Sequence, residues 1–378
     1  KGGKTVCDVH YGFADIERNI PIDNRTILRL ASMTKPIVAI AVMQLQERGL
    51  LSINDPIGKY LPQFKRMKAA EKLVGFMDFY EADPDNPALP KAREDLLEDV
   101  GVVDADREVT IRDMLTHSSG MGQGPFSMTQ YDKRIAPGQS LEERVDLIAR
   151  LPLDFQPGTF TGYSASVAFD VLGRLVEIVS GINLNDYIQA KICLPLGCSD
   201  LSFELTDEQR SRIARLYEGN PDGLRDVSDT EAFWPQVSPL EHGYYSGSAG
   251  MLGSVEAYDR IVQMLANNGT LNGVQILKPE TIALMRKEAS VKHLEMCPGM
   301  TWGIGMAVSD APEKIDRAVG KGTFGWSGAY GTHFYIDPEN DVTVTLGVNC
   351  SNIGGADSQF SKDIEKAVMQ EFNQEGYR

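Results

Sequence analysis

The longest apolar stretch of the chain runs from Pro36 through Ile37-Val38-Ala39-Ile40-Ala41-Val42-Met43, and Gln44 and Gln46 then interrupt it before Arg48-Gly49. It is rich in helix formers, and this predicts a buried helix that opens near Ser32 and closes at Gly49. It is too short and too interrupted to span a membrane. Helical patterning recurs over 55–61, 141–150, 167–180, 184–192, 255–267, 279–287 and 357–372, with Gly181 ending the third of these. Strand patterning is expected at the chain start, over 3–16, and dominates after Trp302, over 302–308, 322–329, 331–337 and 343–348. The short connections between these last runs predict a mostly antiparallel sheet. The expected fold class is therefore α/β, in the α+β sense, with a sheet flanked by helices and a helical lobe. Residues 1–60 and 228–378 are expected to build the sheet domain and 61–227 the helical domain.

Two stretches break the periodicity. Residues 203–246 read as irregular, punctuated by Pro221, Gly223, Pro235 and Pro239. Residues 65–109 are charged and turn-rich around Asp83-Pro84-Asp85-Asn86-Pro87, and read as an insertion. Within it Phe76, Met77, Phe79 and Tyr80 form an apolar cluster. The segment is either a solvated excursion or a cover over a substrate cleft.

Composition excludes several functions. The 378 residues suit one large domain or two interleaved ones, and 42% hydrophobic with 24% charged content is that of an ordinary globular protein. With 37 basic against 53 acidic residues the net charge is −16, which argues against nucleic acid and anionic membranes as partners. The five cysteines have no C-x-x-C spacing, so free thiols in a reducing, cytoplasmic setting are the expectation. The five histidines lack metal-binding spacing, and neither a metal nor a cofactor is expected. Oligomeric state is not legible.

Candidate chemistry sits at the head of the apolar helix. In Ser32-Met33-Thr34-Lys35, a serine at a helix start has unpaired amides and a favourable dipole beside it. Lys35 lies about one turn along the same face, within reach of the hydroxyl. A hydroxyl nucleophile, an amine and an oxyanion donor are the parts of covalent acyl transfer. Alone, S-x-x-K is a weak signal. Two later segments strengthen it: Tyr163-Ser164-Ala165-Ser166 ahead of a helix, and Trp326-Ser327-Gly328-Ala329-Tyr330 ahead of a β-branched run.

In order and spacing these three segments resemble the motifs of the penicillin-recognising serine hydrolases: S-x-x-K, then Y-x-N or Y-S-x, then K-T-G or W-x-G. The resemblance covers nearly the whole chain, including Leu115-Thr116-His117-Ser118-Ser119-Gly120 and Gly247-Ser248-Ala249-Gly250. It is strongest toward class C β-lactamases and especially the β-lactamase-like carboxylesterases of family VIII. It implies Ser32 as nucleophile, with Lys35 and Tyr163 as a coupled base pair whose shared proton is not assignable from sequence. It also implies an oxyanion hole from the amides of Ser32 and Ala329, and substrate contacts at Trp326, Ser327, Gly328 and Tyr330.

Trp326 stands where relatives usually carry a Lys, and Ala165 where they carry an Asn. Both departures remove groups suited to penicillins and favour a small-molecule neutral ester. A β-lactam, a D-amino-acid amide or peptide, acyl transfer to an alcohol or amine, and a silent binding protein remain the alternatives. His117 and His333 read as structural.

Overall fold

The computed structural model describes residues 1–73, 80–81, 91–92, 100–122, 124, 126–127, 138–229, 244–287, 296–355 and 358–374. Helix α1 (Thr34–Glu47) is the buried helix expected from the apolar run. Pro36 falls in its first turn, where the missing N–H breaks no bond. The helix ends with Gly49 at φ +70°, and Leu50 donates back to the Leu45 carbonyl at 3.0 Å. Ser32 itself lies just before α1, in the 3-10 turn Ala31–Met33.

Helix α3 (Ala168–Ser180) packs beside it, and helix α2 (Leu141–Ile148) packs on α3. Ser140 and Glu143 close a capping box at the start of α2. Gly181, at φ +75°, caps α3 in the left-handed conformation. The α3 face carrying Val171, Leu172, Leu175 and Val176 enters the same core as Ile37, Val38 and Ile40 of α1.

A five-stranded antiparallel sheet follows in strict chain order: β1 (Met300–Trp302), β2 (Ala307–Ser309), β3 (Thr323–Ser327), β4 (His333–Asp337) and β5 (Val342–Leu346). The first expected strand, over 302–308, is in fact two strands with a turn between them. Gly305 sits there at φ +75°, and an added Cβ would lie 2.3 Å from the Ala39 methyl, so the turn must be glycine to rest on α1.

Alternation along the strands sorts the two faces. Phe324, Trp326, Phe334 and Ile336 join the core shared with α1 and helix α4 (Val255–Ala266). Tyr335 and Val342 pack instead with Val368 and Phe372 of the last helix, α5 (Gln359–Gln374). A hydrogen bond from Thr345 to Asp259 at 2.7 Å pins α4 to the edge strand.

Three further expectations need correction. The strand pair over 3–16 is reduced to a separate hairpin, Phe13–Asp15 with Ile20–Pro21, and the five-stranded sheet takes nothing from the chain start. Val6, Val9 and Tyr11 are exposed, so their alternation reported β-propensity without a buried face. The supposedly irregular 203–246 contains a hairpin, Tyr217–Asn220 with Gly223–Asp226. Its Pro221-Asp222 turn is closed by Asn220 accepting from the Asp222 amide at 2.9 Å, so the proline marks a turn between strands. The helix expected over 184–192 is regular only over Leu184–Ile188 and then widens into a π-turn, Gln189–Cys193.

The base of the 65–109 segment is a hairpin, Lys68–Ala70 against Val102–Asp104. It is stitched to the helical part where the Ala70 amide donates to the Leu153 carbonyl at 2.8 Å. Phe76, Met77, Phe79 and the Tyr80 side chain lie outside the described residues.

Candidate active site

The turn Ala31–Met33 is held from three sides. The Leu30 amide donates to the Met251 carbonyl at 3.1 Å, Tyr258 donates to the Met33 carbonyl at 2.8 Å, and the Met251 amide donates to Thr34 Oγ1 at 3.1 Å. Ala31 adopts φ +46°, a left-handed conformation that costs a residue with a Cβ about 1 kcal/mol or more. Its methyl is anchored by Leu216, Val227 and Tyr330.

The first two sequence motifs meet at one atom. Lys35 Nζ lies 3.1 Å and Tyr163 OH 2.7 Å from Ser32 Oγ. Lys35 is buried, and its Nζ also donates to the backbone carbonyls of Ala165 and Ser248, each at 2.8 Å. Desolvation lowers the Lys35 pKa to about 7, against the opposing pull of the Asp170 carboxylate. Burial raises Tyr163 to about 12, with its hydrogen bonds to Ser32 and Trp326 working the other way. At neutral pH the phenol is therefore protonated, and the lysine is the group near its titration point.

Trp326 donates from Nε1 to Tyr163 OH at 3.2 Å. Its ring joins a cage with Tyr163, Trp302 and His117; centroids of Trp302 and Trp326 are 4.5 Å apart and those of His117 and Tyr163 4.8 Å. His117, which burial holds well below its usual pKa, accepts the Ser164 amide on Nδ1 at 3.0 Å. It thus fixes the Tyr163 segment as a neutral acceptor.

Strand β3 runs against the Ser32 turn at Gly328. A Cβ added there would lie 2.3 Å from the Leu30 carbonyl oxygen, so only glycine allows the approach. That approach carries Ala329, which is exposed, past the end of β3 beside the turn. Ser327 is bonded to His333 Nδ1 at 2.6 Å, and Tyr330 is buried in a cluster with Ala31.

Sequence reasoning missed Asp170, the Ser248 carbonyl that accepts from Lys35, and the Trp302 wall of the cage. Asp170 carried one signal: a lone carboxylate inside the apolar run Val167-Ala168-Phe169-Asp170-Val171-Leu172.

A sheet backed by helices on both faces, with Ser, Lys and Tyr converging in front of its central strand, defines the serine acyl-transfer enzymes of the β-lactamase-like fold. The chain belongs to the beta-lactamase family, whose model matches residues 1–359. It is similar to Esterase EstB of Burkholderia gladioli, 32% identical over 367 residues, covering 91% of this chain and 82% of EstB. Among solved structures it resembles EstCE1, described as a hydrolase with promiscuous acyltransferase activity, at TM-score 0.74 and 26% identity, covering 95% of this chain and 88% of that one. It shares the fold of simvastatin synthase, LovD, from Aspergillus terreus, at TM-score 0.73 and 22% identity over 96% of this chain and 90% of that one. The protein is an enzyme, a serine hydrolase of this family. Among the described residues, no helix is long and apolar enough to cross a membrane.

Proposed function

We propose that the enzyme hydrolyses uncharged carboxylic esters through an acyl-enzyme on Ser32. The observation that carries this reading is the convergence of Lys35 Nζ and Tyr163 OH on Ser32 Oγ. A neutral Lys35 takes the Ser32 proton as Oγ attacks the ester carbonyl. The oxyanion forms toward the amides of Ser32 and Ala329. Tyr163, a phenol at working pH, passes its proton to the leaving alkoxide, and the proton that Lys35 took from Ser32 restores it. Water then repeats the sequence on the acyl-enzyme.

Neutral esters are favoured because the position that would present a cation to a substrate carboxylate is Trp326, whose indole is turned onto Tyr163 OH. Acyl transfer to an alcohol is the second reading, supported by the promiscuous acyltransferase activity of EstCE1. In that case an alcohol replaces water at the deacylation step. Following p-nitrophenyl butyrate with and without added alcohol, with mass spectrometry of a fluorophosphonate adduct, tests both. The phosphonyl group is expected on the peptide containing Ser32, and ester turnover without alcohol is expected to fall to background in Ser32→Ala. Labelling elsewhere, or full activity in that variant, would sink the mechanism.

A further inference from the structure

Lys35 has two carbonyl partners, and they decide where its third direction points. A neutral amine has two N–H bonds and one lone pair. If the carbonyls of Ala165 and Ser248, both at 2.8 Å, take the two N–H bonds, the lone pair is left facing Ser32 Oγ at 3.1 Å. The accuracy of the base therefore depends on how firmly those two carbonyls are held.

The Ala165 carbonyl belongs to the turn that enters α3. The Ser248 carbonyl lies on a separate segment, 244–248, and that segment is gathered onto α3 by one side chain. Asp170, with 0% of its surface exposed, accepts from the Ser248 amide at 2.9 Å, from Ser246 Oγ at 2.9 Å and from the Tyr244 hydroxyl. All three partners are donors, which suits an ionised, acceptor-only carboxylate. An independent feature shows how closely the segment is pressed down: a Cβ on Gly247 would lie 2.2 Å from the Phe169 carbonyl oxygen.

We propose that Asp170 is a positioning residue for the Ser32–Lys35 pair: its carboxylate clamps the Ser248 peptide whose carbonyl aims the lysine. The proposal rests on the reading of Lys35 as the base toward Ser32. The titratable or charged groups around Lys35 are few among the described residues. Asp170 lies on α3, Tyr163 ahead of it, and His117 on the turn after Leu115. Behind Asp170, the Arg144 guanidinium of α2 sits 3.7 Å from the centroid of the Tyr244 ring. Burial raises the Asp170 pKa and its three donors oppose that rise.

Asp170→Asn is nearly isosteric but removes the charge and turns an acceptor into a donor against donor partners. Expected are a kcat lowered about 10- to 100-fold and a KM within about twofold, because Asp170 does not touch substrate. The acid limb of kcat/KM is expected to move down by about one pH unit, since a lysine without its carboxylate loses its proton more readily. A fall in kcat with the limb unmoved and a lowered Tm would reduce Asp170 to a structural residue and overturn the proposal, as would an unchanged kcat. If Asp170→Asn does not fold, Ser246→Ala and Tyr244→Phe each keep the charge and remove one clamp. Each is expected to cost several-fold in kcat at constant KM, and unchanged kcat in both would overturn the clamp. Fluorophosphonate labelling of the wild-type enzyme runs in parallel: a label away from Ser32 defeats the base assignment, whatever Asp170 does.

Discussion

Two cations, Lys35 fully buried and Arg317 partly buried, lie on opposite sides of the sheet, and they are held in opposite ways. Lys35, on the α1 side, is bonded to a hydroxyl and two neutral carbonyls. Arg317, on the α5 side, is bidentate to Glu365 through Nε and a terminal nitrogen, and donates to Ser309 Oγ at 2.6 Å. His333 completes that cluster, with Nε2 3.7 Å from Glu365 and Nδ1 on Ser327. Burial works against the Glu365 charge, but His333 and Arg317 together hold its carboxyl below the usual range. A cation with a bonded carboxylate partner acts as a strut. A buried cation held mainly by neutral dipoles is poised to lose its proton and can act as a base.

The sharpest way to break the comparison is at Ser32. Ser32→Ala is expected to abolish ester turnover, and Lys35→Ala and Tyr163→Phe each to lower kcat by ~10³ or more, since they share one proton-transfer task. Steady-state kinetics on p-nitrophenyl esters would read this, and a mild effect at Lys35 would remove it from the basic role.

On the strut side, Glu365→Ala strands the Arg317 charge and is expected to cost about 3–5 kcal/mol in urea unfolding. The loss in stability should exceed the loss in kcat. The opposite pattern would make Glu365 part of the chemistry.

A third comparison concerns substrate charge. Ester hydrolysis is expected to exceed nitrocefin hydrolysis in kcat/KM by ~10² or more, about 2.7 kcal/mol in transition-state binding. Equal rates would show that the indole of Trp326 does not decide the preference.

The smallest effect is also the most diagnostic. Lys35 has a folded pKa of about 7 against 10.5 for the free group, so the unfolded chain binds more protons between those values. Stability contributed at this site is therefore lowest below about pH 7 and rises with pH up to about 10.5. Lys35→Met is expected to stabilise the fold by about 1 kcal/mol or more in acid, with the gain vanishing at high pH. Thermal melts across that range would read it; a gain independent of pH would show the lysine to be charged throughout. Over the same window kcat/KM of the wild type should rise with pH through about 7 as Lys35 becomes neutral.

Much of this site was legible because its parts are local. The Ser32–Lys35 spacing is one helical turn, Tyr163 precedes a helix, and Trp326-Ser327-Gly328 ends a strand. The sheet was legible from β-branched runs joined by short turns. What escaped reading depends on packing between distant segments. Asp170 and Ser248 are 78 positions apart and meet only because Gly247 lets two backbones touch. The N-terminal strand pair was overread because alternation in Val6-Cys7-Asp8-Val9 states a preference, and no neighbouring face is there to use it. The hairpin at 217–226 was underread because Pro and Gly mark its turn as readily as they mark a loop.

Ala31 bears on how the sequence can drift. Its left-handed backbone would be free of strain as glycine, yet its methyl packs among Leu216, Val227 and Tyr330. Larger residues at 31 combine the backbone penalty with a filled socket, and glycine empties the socket while widening the choices open to the chain. The permitted alphabet at this position is therefore nearly one letter long, and the three side chains that form the socket are free to change only in concert. Variation that retunes the enzyme for new substrates has to enter elsewhere, through residues whose packing does not reach the turn that presents Ser32.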